Sequence, residues 1–426
     1  MSRRPWRPAP AASGPAGERP RRAAVLVPAV LLLAGLGLGG VAGWRAASAR
    51  PAAAGPAAVP RLVVESVDGP VEELGGLGEI AYVDADGVVG ALAADGRARR
   101  ALGRAGQLRL DADPVPGGGA PRATVSADRT LAYGYLDDGS PVAVRLADAK
   151  ARRLSAPGTA AAAAIMQSAD GAVVAVCARS DQGRPATTIQ DRDGRQVAGF
   201  GGCALDLARD GSAALVPDPA REAGAGGARP GPVRGLRLWQ RSGGNRAVLA
   251  HAEAVEAARL VDPGARPGDV VIDGAWLAPD ARRALVRVAT AGRRGPSHDH
   301  WRPGPALVLV DLPSRRWELV PTEAYATGPV AWTATGGFAY ALPSDFSSLS
   351  DEVSLSVRHV PAGGPPTLIQ VGNRDDSRMA LSPDGDWLLL HGGGQWLFIR
   401  VDDPEVRVSY TAPGEFAGWL PGRGTR

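Results

Sequence analysis

The side chains best suited to chemistry are two histidines, His298 and His300, in the run TAGRRGPSHDHWRPG. Imidazole is the commonest side-chain ligand of transition metals in proteins. A catalytic metal site needs a further ligand from elsewhere, and no spacing in the chain fixes one. Surface histidines are therefore the favoured interpretation. His298 and His300 stay as weak metal-ligand candidates, and we expect no cofactor.

The chain lacks the short motifs of common hydrolytic and nucleotide-binding sites. It contains no serine nucleophile elbow, no HExxH pair and no P-loop. Asp-Gly pairs at 170–171 and 384–385 offer carboxylates. Tight turns need those residue types in any case, and a calcium loop would need further spaced acids. We therefore predict no catalytic residue.

Cys177 and Cys203 are the only two cysteines. In an oxidising compartment they could form a disulfide between adjacent structural units. Two buried free thiols are an equal alternative, because the reach of a disulfide depends on geometry that spacing does not give. A reactive pair is disfavoured at this spacing.

The elements that would position these side chains recur along the chain. A short apolar strand, a turn built on Asp and Gly, and a second apolar strand follow one another repeatedly. Copies begin at Val125, Gln167, Leu207, Leu277, Trp332 and Leu381. Asp-Gly tolerates positive φ, which lets a tight turn follow the twist of its strands. Third and fourth strands follow, as in ALVLVDL (306–312) and RRWELV (315–320).

Four short antiparallel strands that recur every 40–70 residues are typical of β-propeller blades. The six copies, with a first unit over 79–102, predict an all-β, seven-bladed β-propeller over residues 77–421; six or eight blades are the alternatives. The first unit has three strands and none before them, whereas EFAGWL (415–420) matches the first strand of a blade. The last strand is therefore predicted to complete blade 1 and close the ring. One short helix is expected over 251–260.

The run LSPDGDWLLL, 381–390, resembles the repeat of TolB-type, WD40-like propellers of bacterial envelopes. Degenerate copies begin at 167, 207 and 277, and the resemblance covers roughly residues 77–421. Two departures limit it: the Gly-His and Trp-Asp pairs of true WD40 blades are missing, and so is the α/β domain that precedes the propeller in TolB. The resemblance therefore implies a fold, and no role in outer-membrane transport.

Three long connections fall between predicted strands two and three of consecutive blades, at 217–235, 290–305 and 343–353. Loops on a rigid scaffold often carry function, so this sector is a candidate partner-binding surface. Solvated loops that are free to vary in length are the alternative. The candidate residues are Arg221, Arg293, Arg294, His298, Asp299, Trp301, Asp345 and Phe346.

Residues 23–44 carry no charge and are long enough to cross a bilayer as a helix. Six arginines precede them within 22 residues, so the positive-inside rule places residues 1–22 in the cytoplasm and the remainder outside. Residues 45–76 are predicted to be an Ala/Pro-rich tether with a lead-in strand. A cleaved signal peptide is the alternative, since ASA at 47–49 fits a cleavage site.

The basic character of the chain lies in its N-terminal tail. Residues 1–50 hold eight arginines and one acidic residue, a net charge of +7, whereas the whole chain carries +4. The other 376 residues therefore carry −3, the difference between these two values. Without excess positive charge, the folded region is not expected to bind nucleic acid.

These observations predict a single-pass membrane protein with an extracytoplasmic propeller. We expect a non-enzymatic protein-binding or scaffold module of the cell envelope, with an envelope or membrane protein as its partner. A propeller enzyme of the lactonase, lyase or quinoprotein kind is one alternative, and an extracytoplasmic sensor is another. The sequence predicts no oligomeric state.

Overall fold

Residues 72–420, in the parts that the structure describes, form a ring of seven antiparallel sheets. The computed structural model describes residues 72–105, 108, 125–126, 128–136, 138–154, 164–168, 171–179, 185–218, 233–290, 306–320, 330–333, 335–344, 354–373, 378–392 and 394–420. Within these ranges six sheets have four strands and one has three. This arrangement confirms the predicted all-β, seven-bladed propeller.

The strands of the first three blades follow in chain order, except that blade 1 begins with the last strand. Blade 1 consists of β27 (Glu415–Leu420), β1 (Glu79–Val83), β2 (Val88–Ala93) and β3 (Arg99–Arg104). Blade 2 consists of β4 (Leu131–Tyr135), β5 (Pro141–Arg145) and β6 (Lys150–Arg153). Blade 3 consists of β7 (Ala164–Gln167), β8 (Val173–Arg179), β9 (Pro185–Asp191) and β10 (Gln196–Gly201).

The other four blades each contain four consecutive strands. Blade 4 consists of β11 (Asp206–Leu207), β12 (Ala213–Pro217), β13 (Leu236–Gln240) and β14 (Asn245–Leu249). Blade 5 consists of β15 (Val270–Leu277), β16 (Arg283–Thr290), β17 (Ala306–Asp311) and β18 (Arg316–Leu319). Blade 6 consists of β19 (Val330–Trp332), β20 (Phe338–Ser344), β21 (Ser354–Val360) and β22 (Thr367–Asn373). Blade 7 consists of β23 (Arg378–Leu381), β24 (Trp387–Gly392), β25 (Gln395–Arg400) and β26 (Arg407–Thr411).

The ring closes where β27 pairs antiparallel with β1. Glu79 faces Leu420 at one end and Val83 faces Glu415 at the other, with one irregularity in register after Ala81. The first and last strands of the fold are therefore hydrogen-bonded neighbours in one sheet. The closing strand is the segment 415–420 that the sequence singles out.

Blade 2 departs from the four-strand pattern expected for the copy that begins at Val125. Within the part of the chain that the structure describes, its first strand is reduced to a single bridge between Val125 and Ala132. The residues before this bridge, 109–124, lie outside the described ranges. The remaining three strands pair in normal antiparallel register.

Burial explains why the middle strands are apolar. Every residue of β12 is buried, and β5 is buried except at Arg145. The outermost strands β3 and β6 have no fully buried residue. A strand that is buried on both faces has a continuous run of apolar residues, and here the neighbouring blades bury both faces.

One short α-helix, α1 (His251–Val261), connects blade 4 to blade 5, where the sequence predicts it. Its buried residues are Ala254, Val255, Ala257 and Ala258. Glu253 caps its first turn, because its carboxylate accepts a hydrogen bond of 2.6 Å from the Ala250 amide. A 3-10 turn, Glu72–Leu74, precedes β1.

The predicted N-terminal elements lie outside the described residues. These are the tail 1–22, the transmembrane segment 23–44 and most of the tether 45–76. Within residues 72–420, as far as the structure describes them, no helix is long and apolar enough to cross a membrane.

Candidate binding face

Chain connectivity gives the ring two faces. Turns between strands one and two, and between strands three and four, lie on one face, here called the turn face. Connections between strands two and three, and between successive blades, lie on the other, here called the loop face. Turns of neighbouring blades touch on the turn face: a Cβ added to Gly385 of blade 7 would lie 2.8 Å from Thr333 Cγ2 of blade 6.

The candidate binding residues belong to three connections of the loop face. The strands before these connections end at Pro217, Thr290 and Ser344, and the strands after them begin at Leu236, Ala306 and Ser354. Because strand two of every blade runs in the same direction, the three connections leave from one face and from adjacent blades. The candidates themselves lie outside the described residues: Arg221, Arg293, Arg294, His298, Asp299, His300, Trp301, Asp345 and Phe346.

On the turn face, Asp and Ser side chains are engaged in closing the turns. Asp210 Oδ1 accepts a hydrogen bond from the Ser212 amide at 2.9 Å, and Asp280 Oδ1 accepts one from the Arg282 amide at 2.9 Å. The Ser382 hydroxyl, which is 1% exposed, accepts from the Trp387 amide at 2.9 Å. Ser126 and Ser168 make the equivalent bonds in their own blades. The recurring Asp-Gly motif is therefore a turn motif, as its residue types suggest.

Glycine is required where turns of adjacent blades meet. Gly211, in the first turn of blade 4, has φ of 66°. A Cβ at this position would collide with Cγ2 of Val173 in blade 3. Both the left-handed backbone and the close neighbour exclude a larger residue. The turn face is thus a closely packed surface.

Ion pairs link the first three blades on the turn face. The Glu79 carboxylate accepts hydrogen bonds from Arg100 at 2.7 and 3.0 Å and from Arg129 of blade 2 at 2.6 Å. Arg192 of blade 3 pairs with Asp128 of blade 2. Burial alone would raise the pKa of Asp128, but hydrogen bonds from Ser126, Arg192 and Thr130 bring it below its usual value. These charges connect blades and are not free for a ligand.

Two further hydrogen bonds between blades were missed by the sequence analysis. The Tyr135 hydroxyl in blade 2 accepts from the Ile165 amide in blade 3 at 2.8 Å. Asp206 in blade 4 accepts from the Leu277 amide in blade 5 at 2.8 Å. Each joins residues 30 or more positions apart, so no local motif marks them. Among the polar residues, only the repeated Ser before Asp-Gly offered a sequence signal.

Metal ligands are not brought together in the described ranges. No group of three or more His, Cys, Asp or Glu side chains there is arranged to hold a metal ion. His359, one of the described histidines, is 8% exposed. Burial lowers its pKa, against a smaller opposing effect of Asp386. The metal hypothesis for His298 and His300 concerns residues outside these ranges.

Cys177 and Cys203 are joined as a disulfide in the structure, with their Cα atoms 5.2 Å apart. Both are buried, at 0% and 2% exposure. Cys177 lies in the second strand of blade 3, and Cys203 lies in the connection to blade 4. Thr187 holds the same connection, since its hydroxyl donates to the Gly202 carbonyl and accepts from the Ala204 amide.

Comparison with known proteins gives fold similarity alone. No protein-family model matches the chain, and no curated protein matches it. TolB from Acinetobacter baumannii is 13% identical, with a TM-score of 0.39; the match covers 80% of this chain and 65% of TolB. An oligogalacturonate lyase from Vibrio parahaemolyticus is 9% identical over 79% of this chain and 91% of the lyase, with a TM-score of 0.43.

A third solved structure is the β-propeller domain of Myceliophteria thermophila Cps50 (Swd1). It is 11% identical, with a TM-score of 0.45, and the match covers 71% of this chain and 90% of that domain. Similarities of this kind concern architecture and transfer no activity. By its own strand topology, this chain is a seven-bladed β-propeller in the ranges that the structure describes.

Proposed function

We propose that this protein is a membrane-anchored, extracytoplasmic β-propeller whose loop face binds a protein of the cell envelope, without catalysing a reaction. One observation carries the proposal: the two faces of the ring are built differently. On the turn face, short Asp-Gly turns pack against one another. On the loop face, three consecutive blades have connections of 9 to 18 residues between strands two and three. Rigid strands that carry long connections are a common basis for binding surfaces.

The composition of these connections suits a protein partner. They contain Trp301 and Phe346, together with Arg293 and Arg294. Aromatic and arginine side chains are enriched among the residues that dominate protein–protein binding energy. Since the chain beyond residue 50 has no excess positive charge, a nucleic-acid partner is disfavoured.

Two observations support a location outside the cytoplasm. The disulfide Cys177–Cys203 is of a kind that persists in oxidising compartments and is rare in the cytosol. The uncharged segment 23–44 follows an arginine-rich tail, which favours a single anchor with the tail inside. An envelope or membrane protein is therefore the proposed partner.

Site-specific photo-crosslinking tests the binding face. A photoreactive residue at Phe346 or Trp301, in full-length protein in its native envelope, is expected to crosslink to one envelope protein. The matched control is the same probe at Arg246, which is exposed where β14 leaves the turn face. Equal crosslinking from Arg246, or none from the loop face, would contradict the proposal. One tightly bound metal equivalent in the purified protein would favour an enzyme instead.

A reporter fusion tests the location separately. An alkaline phosphatase at the C-terminus, which needs disulfides to be active, is expected to be active in intact cells. A fusion reporter that works only in the cytoplasm is expected to be silent at the same position. Activity of the cytoplasmic reporter would overturn the topology and leave the crosslinking result to be judged on its own.

A further inference from the structure

The segment just before the first strand, residues 72–78, packs where blade 7 meets blade 1, the blade in which β27 and β1 close the ring. Leu74 is 1% exposed and Leu77 is 9% exposed. Both belong to an apolar cluster, here called the closure cluster, that contains residues from blade 7 and blade 1. Its buried members are Leu74, Leu77, Ile80, Tyr82, Ala94, Trp387, Leu389, Trp396, Phe398, Val408 and Tyr410.

This segment is held mainly by apolar packing. The Gly78 carbonyl accepts a hydrogen bond of 3.0 Å from the Ala94 amide. The 3-10 turn forms an ion pair between Glu72 and Arg97, whose side chains are 88% and 55% exposed. An exposed pair of this kind contributes little to stability. Leu74 and Leu77 therefore provide most of the attachment of the segment.

Both ends of the described fold leave the ring at the same point. Glu79, at the start of β1, is paired with Leu420, at the end of β27. In an antiparallel pair whose free ends lie together, a pull on one end loads the pairing bonds one after another. The predicted tether, 45–76, therefore enters the ring beside the β27–β1 pair that closes it.

We infer that residues 72–78 form a latch on the β27–β1 closure of blade 1, where it packs against blade 7, so that a pull on the N-terminal tether separates these two strands first. The role of the tether rests on the proposed anchoring; the latch itself rests on the packing of Leu74 and Leu77. Force between a partner on the loop face and the membrane would pass through this segment. The partner would then be an envelope protein that transmits force to residues 72–78.

Hydrogen exchange on the full chain tests the latch without a membrane. The double variant Leu74→Ala, Leu77→Ala is expected to raise amide exchange in Glu415–Leu420 by at least about tenfold, because buried leucines contribute strongly to packing. Exchange in Val173–Arg179 of blade 3 is expected to stay unchanged. The matched control is Leu260→Ala, Leu368→Ala, at sites that are 61% and 43% exposed, which should alter neither segment.

Two outcomes would overturn the latch. Unchanged exchange in 415–420 would show that the segment does not stabilise the β27–β1 closure. An equal rise in 173–179 would show general destabilisation in place of local opening. Should the double variant fail to fold, Leu77→Ala alone applies the same test, because Leu77 is the more exposed of the two leucines.

Single-molecule pulling tests the force response. The full chain is held by its N-terminus and by a tag inserted after Gly295, in a loop-face connection. Release of seven residues should add a first extension of about 25 Å, at ~3.5 Å per residue, before the domain unfolds. The latch variant should lose this step, and the exposed-leucine control should keep it. Unfolding of the whole domain in one event in the unaltered chain would overturn the inference, whatever the reporter fusions show about anchoring.

Discussion

The seam between blades 7 and 1 and the connection between blades 3 and 4 are held by opposite means. At the first, no disulfide joins the blades, and seven aromatic side chains pack together. They are Tyr82, Trp387, Trp396, Phe398, Tyr410, Phe416 and Trp419. At the second, Cys177 and Cys203 form a disulfide within a small cluster completed by Ala164.

The difference follows from chain connectivity. Blades 3 and 4 are consecutive, so the backbone already joins them and a disulfide only fixes the connecting segment. Residues 412–414 likewise join blade 7 to blade 1, but β27 and β1 within blade 1 come from opposite ends of the fold, so backbone pairing and side-chain packing must provide the closure. Edge-to-face ring pairs between blade 7 and blade 1, such as Tyr82–Trp396 at 6.2 Å and Phe398–Trp419 at 6.4 Å, support this closure. Each such pair contributes about 0.5–1.5 kcal/mol beyond its buried area.

Removal of the closing strand should have the largest effect. A chain without residues 414–426 loses β27, whose Ala417 and Leu420 are 3% and 1% exposed. It leaves β1 unpaired on one edge, and we expect loss of cooperative thermal unfolding, because the change exceeds about 5–15 kcal/mol of typical stability. The control lacks only residues 421–426, beyond β27, and should unfold normally by circular dichroism and calorimetry. A cooperative transition in the longer truncation would show that closure is dispensable.

Matched tryptophan substitutions compare the two seams directly. Trp396 in the closure cluster is 0% exposed, and Trp396→Ala should destabilise the domain by about 3–5 kcal/mol. Trp239, between blades 3 and 4, is only partly buried and packs against Phe200 at 6.3 Å. Trp239→Ala should cost about half as much or less. Similar losses of unfolding free energy, measured in urea, would mean that the closure cluster contributes no more to stability than the packing between blades 3 and 4.

The architecture could be predicted because its signal is local and repeated. Each Asp-Gly turn with flanking apolar runs is readable within about twelve residues, and six copies reinforce one another. The closing strand could be predicted from the number of strands in each unit. The unit at 79–102 lacks a first strand, and EFAGWL at 415–420 matches the missing one. The helix over His251–Val261 was similarly predictable from its own residues.

The remaining features depend on contacts between distant residues. The ion pair of Glu79 and Arg129 joins positions 50 apart, and arginine is too common in this chain for its position to be informative. Leu74 lies near the end of the predicted tether, 45–76, and Leu77 just after it, and no periodic pattern around them indicates that they are buried. The candidate binding residues form connections, where length and composition suggest a role but no periodicity fixes a position.

Loss of the disulfide should lower the free energy of unfolding somewhat less than Trp396→Ala does. The bond closes a loop with a sequence separation of 26, for which chain entropy gives about 3–4 kcal/mol. Cys177→Ala, Cys203→Ala should lower the midpoint of urea unfolding accordingly. A reductant that reaches the bond should lower the midpoint of the unaltered protein towards that of the variant, and should not affect the variant. Two alkylatable thiols in protein taken directly from the envelope would contradict the disulfide.

The smallest expected effect is the loss of stability at high pH that comes from Tyr410 in the closure cluster. Burial, with lesser contributions from Asp95 and Glu73, raises the pKa of Tyr410 to about 12. Between about pH 10 and 12, the phenol is protonated in the folded state and ionised in the unfolded state. The stabilising contribution of Tyr410 is therefore fully present below about pH 10. That stability should fall by at most about 1.4 kcal/mol per pH unit as pH rises from about 10 to 12. Tyr410→Phe, which keeps the ring, should lack this component, and identical profiles for the two proteins in urea unfolding would show that the phenol is not buried in the seam.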